Sequence, residues 1–117
     1  MKERRLFPRS KISCKISVIF GLRILVFNAD IENIGEGGIR VVLNERLAAS
    51  TPLDVEIFGK GIYIKLKGEV IWSNEKNTDK KERVFDTGIK FIDIDEYDRG
   101  RIKKLIDAFL SEKDEYL

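Results

Sequence analysis

Two arginines four residues apart, in Arg5-Leu6-Phe7-Pro8-Arg9, are the first residues whose type and spacing point to chemistry. The second group is an amide at the head of a glycine cluster, Asn33-Ile34-Gly35-Glu36-Gly37-Gly38. A guanidinium is planar and permanently charged. Its fork donates two parallel hydrogen bonds to a phosphate or to the N7/O6 edge of guanine, and its face stacks on a base. Asparagine reads a base edge through a paired donor and acceptor. Glycine lets backbone and ligand approach closely and permits positive φ. Together the two groups suit a doubly charged, guanine-bearing ligand held against a small barrel. Taken singly, each has a plainer reading: a solvated basic tail, and a tight turn.

The residues that are missing narrow the chemistry further. The 117-residue chain has no histidine, so the usual proton shuttle, triad base and commonest metal ligand are all absent. A lone cysteine, Cys14, excludes an intramolecular disulfide and a cysteine-rich zinc site. It sits in an alternating apolar run and is expected to be a buried core thiol. No nucleophile motif is present, and the chain is not expected to be an enzyme. Neither a membrane-length apolar stretch nor a signal-peptide pattern is found, so a cytoplasmic protein is expected. Net charge is +2, but unevenly placed. Residues 1–15 hold six cations against Glu3, a net +5, which leaves −3 for the remainder. A basic arm on a mildly acidic body suggests an anionic partner for the arm.

These residues need elements to position them. Pro8 biases Phe7 away from helical angles, so the arginines do not share a helix face. In an extended arm, positions four apart share a side and lie ~13 Å apart. Ile12, Cys14, Ile16, Val18 and Phe20 alternate with polar neighbours as in a half-buried strand. Gly21 marks a turn, and a second β-rich run covers residues 22–27 and extends toward Ile31. Ile39, Val41 and Leu43 alternate after the glycines. Residues 45–50 could form a helical turn, and Val55 and Ile57 begin another strand. The run Ile62, Ile64, Leu66, Gly68, Val70, Trp72 keeps one parity, which makes Trp72 a core residue and Gly68 a candidate bend. Residues 73–83 read as a polar loop, and residues 84–92 as the last strand. Gly88 within that strand signals a bulge or close packing. The period then changes: Ile102, Leu105, Ile106 and Phe109 have helical spacing, with Asp95 as N-cap. The pattern predicts a basic arm (1–11), a β-barrel of about six antiparallel strands (12–93) and a C-terminal helix with tail (94–117). The helix is expected to cover an end or flank of the barrel.

In this order the chain resembles the PilZ domain family, whose members include bacterial receptors for cyclic di-GMP. The resemblance is carried by Arg5-x-x-x-Arg9, Asn33-x-Gly35-x-x-Gly38-Ile39, Gly68-Glu69-Val70-Ile71-Trp72 and Thr87-Gly88-Ile89-Lys90-Phe91. It implies a six-stranded antiparallel barrel with a C-terminal helix. It also implies that Arg5 and Arg9 hold the cyclic dinucleotide, with Arg4 as a supporting phosphate contact. Asn33 falls at the position that bonds a base edge, and Gly38 at the motif glycine. Gly35 stands where the family usually has serine. The lost hydroxyl removes a hydrogen bond of ~0.5–1.5 kcal/mol, tenfold or less in affinity.

The leading expectation is therefore a cyclic di-GMP receptor or adaptor, with binding ordering the arm near Asn33 and Gly38 and the signal passing to a protein effector. The resemblance implies motility and biofilm processes as its setting. The alternative is a PilZ-like adaptor in pilus or flagellar machinery that binds no nucleotide, for which an exposed apolar patch would speak. A third class, a nucleic-acid-binding small barrel, fits the arm but not the acidic body.

Overall fold

The computed structural model describes residues 12–76 and 82–114, with side chains to residue 110. The arm, and with it Arg4, Arg5 and Arg9, lies outside the described residues. Six strands precede one helix: β1 (Ser13–Phe20), β2 (Arg23–Ile34), β3 (Gly38–Leu43), β4 (Pro52–Gly59), β5 (Ile62–Glu75), β6 (Phe85–Ile92) and α1 (Glu96–Asp114). They close into an antiparallel barrel in the order β1-β2-β3-β6-β5-β4, with β4 returning to β1. The expected fold class is thus the observed one.

The alternating residues explain the closure. Cys14, Ile16 and Val18 of β1, Ile39, Val41 and Leu43 of β3, and Leu53, Val55 and Ile57 of β4 all point inward and are buried. Each such aliphatic side chain contributes about 1.5–3 kcal/mol on burial. Two-residue turns join the hairpins. Lys60 (φ 52°) and Gly61 (φ 74°) are both left-handed between β4 and β5, as a I′ turn requires. Gly21 (φ 58°) opens the β1–β2 turn. In α1, the Asp98 amide donates to Asp95 Oδ1 at 2.7 Å, the predicted N-cap. Ile102, Leu105 and Phe109 join the barrel's hydrophobic core, and the helix packs against β5.

Five local expectations are corrected. Phe20 is half exposed, because β1 pairs with β4 only over residues 13–17 and its end runs past the barrel. Residues 45–50 form no helix. That connection is drawn across β5 instead: the Ser50 amide donates to Val70 O (2.7 Å), and the Val70 amide to Thr51 O (3.0 Å). Its buried Leu47 donates its amide to Ser73 Oγ at 3.3 Å. β5 continues to Glu75, into the expected loop. Gly68 is paired without interruption to Leu53 and Phe91; the irregularity of β5 lies between Val70 and Trp72. The pairing steps from Val70↔Ile89 to Trp72↔Gly88, so Ile71 is the extra residue of a bulge. That single insertion reverses the parity, and Trp72 lies on the outer face rather than in the core.

Candidate ligand-binding face

β2 ends at Ile34 and β3 begins at Gly38, so the glycine cluster is the turn between them. The Gly35 amide donates to Gly38 O at 2.9 Å and closes it. The Phe91 amide donates to Gly37 O at 2.8 Å and pins the turn to β6. Asn33 stands exposed at the turn's entrance, and its Oδ1 accepts from the Ile34 amide at 3.0 Å. The fold therefore brings Asn33, Gly35 and Gly38 together.

The two glycines do different things. Gly35 has open space around its Cα, and no atom lies within 4 Å of a Cβ built there. At Gly38 a Cβ would meet Ile89 O at 2.2 Å. Gly38 is therefore demanded by the approach of β3 to β6, whatever binds outside. Positive φ is not its reason, since the left-handed glycines of the described chain are Gly21 and Gly61.

A row of side chains crosses four strands beside this turn. Asn33 of β2 pairs with Arg40 of β3, Arg40 with Gly88 of β6, and Gly88 with Trp72 of β5. At ~4.8 Å per strand the row is about 14 Å long. It offers an amide, a guanidinium, bare backbone and an indole. Arg40 Nη1 is held by Asp86 at 3.1 and 3.2 Å, an ion pair with side chains 41% and 24% exposed. A pair so exposed is worth about 0–1 kcal/mol, so Arg40 can exchange partners cheaply. Among the described residues, the rest of the Arg40 fork has no hydrogen-bond partner. Trp72 lies over Gly88, whose built Cβ would come within 2.4–2.8 Å of the indole, and this cover buries Gly88 on the outer face. Gly88 thus marks close packing; the bulge is in the facing strand. Beside the row, Gly38 pairs with Lys90, and Lys90 Nζ lies 4.0 Å from Glu69. Two cations consequently border the turn.

Sequence reasoning missed Arg40 and Trp72. Arg40 was within reach, since it follows Gly38 by two and shares its strand face. Trp72 was hidden by the bulge. Cys14 is 1% exposed, and burial, with a smaller push from Asp30, raises its thiol to about 12. It is a core thiol, as expected from its register.

Comparison with known proteins agrees with this architecture. A family model described as PilZ domain matches residues 3–108. The chain belongs to the PilZ domain family. Among solved structures, this PilZ domain is similar to the PilZ domain with c-di-GMP of YcgR from Escherichia coli. The TM-score is 0.71 at 13% identity, over 97% of this chain and 96% of that one. It is also similar to K. pneumonia MrkH in a P2(1) crystal (TM-score 0.73, 18% identity, 98% of this chain and 52% of that one). The apo state of MrkH gives 0.71 and 19%, over 91% and 48%. The PilZ domain described here therefore spans about half of MrkH. No curated protein sequence matches it. No helix among the described residues is long and apolar enough to cross a membrane.

Proposed function

We propose that this PilZ domain is a receptor for cyclic di-GMP that passes ligand occupancy to a protein effector. Arg5 and Arg9 supply the guanidinium pair, Arg4 a further phosphate contact, and Asn33, Gly35 and Gly38 the turn against which the ligand rests. The observation that carries this reading is the row Asn33–Arg40–Gly88–Trp72 beside the arm's point of attachment. Ile12 O accepts from the Ile31 amide at 2.8 Å, which tethers the arm two residues from Asn33 along β2. Arg9 precedes Ile12 by three residues, at most ~11 Å of chain, so it can reach the face. The likeness to a c-di-GMP-bound PilZ domain supports the choice of ligand. In this reading Arg40 adds a third fork and Trp72 a surface for base contact.

Calorimetric titration with cyclic di-GMP tests it, using the intact chain and Arg5→Ala and Arg9→Ala variants. The expected result is saturable binding that both substitutions reduce at least tenfold. Absence of heat at high micromolar ligand, from protein with a native circular dichroism spectrum, would overturn the assignment. A second reading, an adaptor without nucleotide, draws on Gly35 in the serine position and on an apolar surface. Ile19, Leu22 and Ile24 at the β1–β2 hairpin are 72%, 105% and 64% exposed.

A further inference from the structure

The β1–β2 hairpin outruns the rest of the barrel. Among the described residues, β1 has no β4 partner beyond Ser17, and β2 meets β3 only from Ile31 onward. Residues 18–25 therefore form a two-stranded ribbon paired only within the hairpin, while residues 26–30 of β2 are the edge of a sheet continued by β1 and β4. Where β2 parts from β3, a cleft of about 360 Å³ opens between residues 26–28 and 42–44. Along residues 24–29, alternate backbone N–H and C=O groups have no strand beside them among the described residues on the side away from β1, and residues 26–28 line that cleft.

The ribbon is apolar on both sides. Ile19, Phe20, Leu22, Ile24 and Val26 are 72%, 50%, 105%, 64% and 48% exposed. Large apolar side chains exposed together along one hairpin mark an interaction surface. Exposed edges are ordinarily guarded by charge, proline or a bulge. Residues 24–29, Ile-Leu-Val-Phe-Asn-Ala, carry none of these.

We infer that this edge pairs with the same edge of a second copy, antiparallel about a two-fold axis at Leu25. The unpaired backbone excludes a lipid surface as the natural occupant, because hydrocarbon cannot satisfy sheet-edge N–H and C=O groups. The strand is also complementary to itself. With the axis at Leu25, Ile24 lies opposite Val26 of the second copy, twice, on the outer face. On the inner face Leu25 meets Leu25 and Arg23 meets Phe27, an apolar pair and a cation–aromatic pair. No like charges oppose one another. The pairing is isologous and closes at two copies. It does not depend on the nucleotide reading.

Sedimentation equilibrium of the full chain, from low to high micromolar, tests the inference beside Ile24→Lys and Val26→Lys. Both positions are exposed, so each variant keeps the wild-type circular dichroism spectrum, and the wild-type melting temperature at concentrations where both are monomeric. The wild type is expected to double in mass with concentration, and each lysine variant to weaken dimerisation at least tenfold. Leu25→Cys should form an interchain disulfide on mild oxidation, because opposed strand residues lie within disulfide range, whereas Ile19→Cys should not. A chain that stays monomeric overturns the inference, including one that binds anionic phosphatidylglycerol vesicles as a monomer. A dimer that survives both lysine variants overturns it as well.

Discussion

At the scale of single residues, the two motif glycines have opposite reasons to be glycine. Gly38 lies 2.2 Å, measured from a built Cβ, from the Ile89 carbonyl, which belongs to the barrel wall and cannot step aside. Gly38→Ala is therefore expected to destabilise the fold by about 1–3 kcal/mol in urea unfolding, with or without ligand. Gly35 faces open space at ordinary φ, so Gly35→Ala should leave stability within ~0.5 kcal/mol. Gly35→Ser then becomes informative. If the turn receives a ligand, the added hydroxyl should tighten cyclic di-GMP up to about tenfold in calorimetry at unchanged melting temperature. A serine variant with unaltered affinity would remove the turn from the site. Arg40 illustrates a third case: its half-exposed bond to Asp86 orients the guanidinium outward at little energetic cost.

At the scale of elements, the bulge at Ile71 decides what β5 presents. Without it, Trp72 would follow Leu66 and Val70 inward; with it, the indole covers Gly88 on the outer face. This is the chain's single tryptophan, so intrinsic fluorescence reports on one place. Gly88→Ala introduces a methyl within 2.4–2.8 Å of the indole and must lift it from the strand. A red-shifted emission maximum is expected for this variant. Cyclic di-GMP is expected to alter the emission of the wild type, and Trp72→Phe to abolish that signal while the barrel remains folded. Emission indifferent to saturating ligand would separate Trp72 from the bound molecule.

At the scale of the whole molecule, closure of the barrel places Cys14 in a dry interior together with the aliphatic residues of every strand and the buried face of α1. Burial raises its thiol from 9.0 to about 12, so the native state retains a proton that the unfolded chain releases. A raised acid favours folding below the unfolded value and loses that contribution as pH rises. Wild-type stability should therefore fall between pH 9 and about 12 by about 1 kcal/mol per unit more than that of Cys14→Ala, measured by urea unfolding at each pH. The native thiol should also resist alkylation until the barrel opens. Closure has a second consequence: among the described residues, the hairpin that overruns it keeps an unpaired β2 edge, so the proposed pairing of two copies follows from strand lengths rather than from any one side chain.

The alternation of Ile12 to Val18, Ile39 to Leu43 and Ile62 to Val70 made the strands legible, since a one-residue slip would turn a buried set to solvent. The change to helical spacing after Asp95 was legible for the same reason, and the ordered motifs pointed to the family. Asn33, Gly35 and Gly38 could be placed at a turn because glycine and amide residues are local signals. What the tertiary structure alone decided depends on pairing between distant strands. The bulge opposite residues 88 and 89 turned Trp72 outward, and the approach of β6 made Gly38 indispensable. Hydrogen bonds to β5 kept residues 45–50 out of a helix, and the short reach of β3 and β4 left the hairpin uncovered. Side-chain period is written along one strand; register and closure are set between strands, where no single segment carries the information.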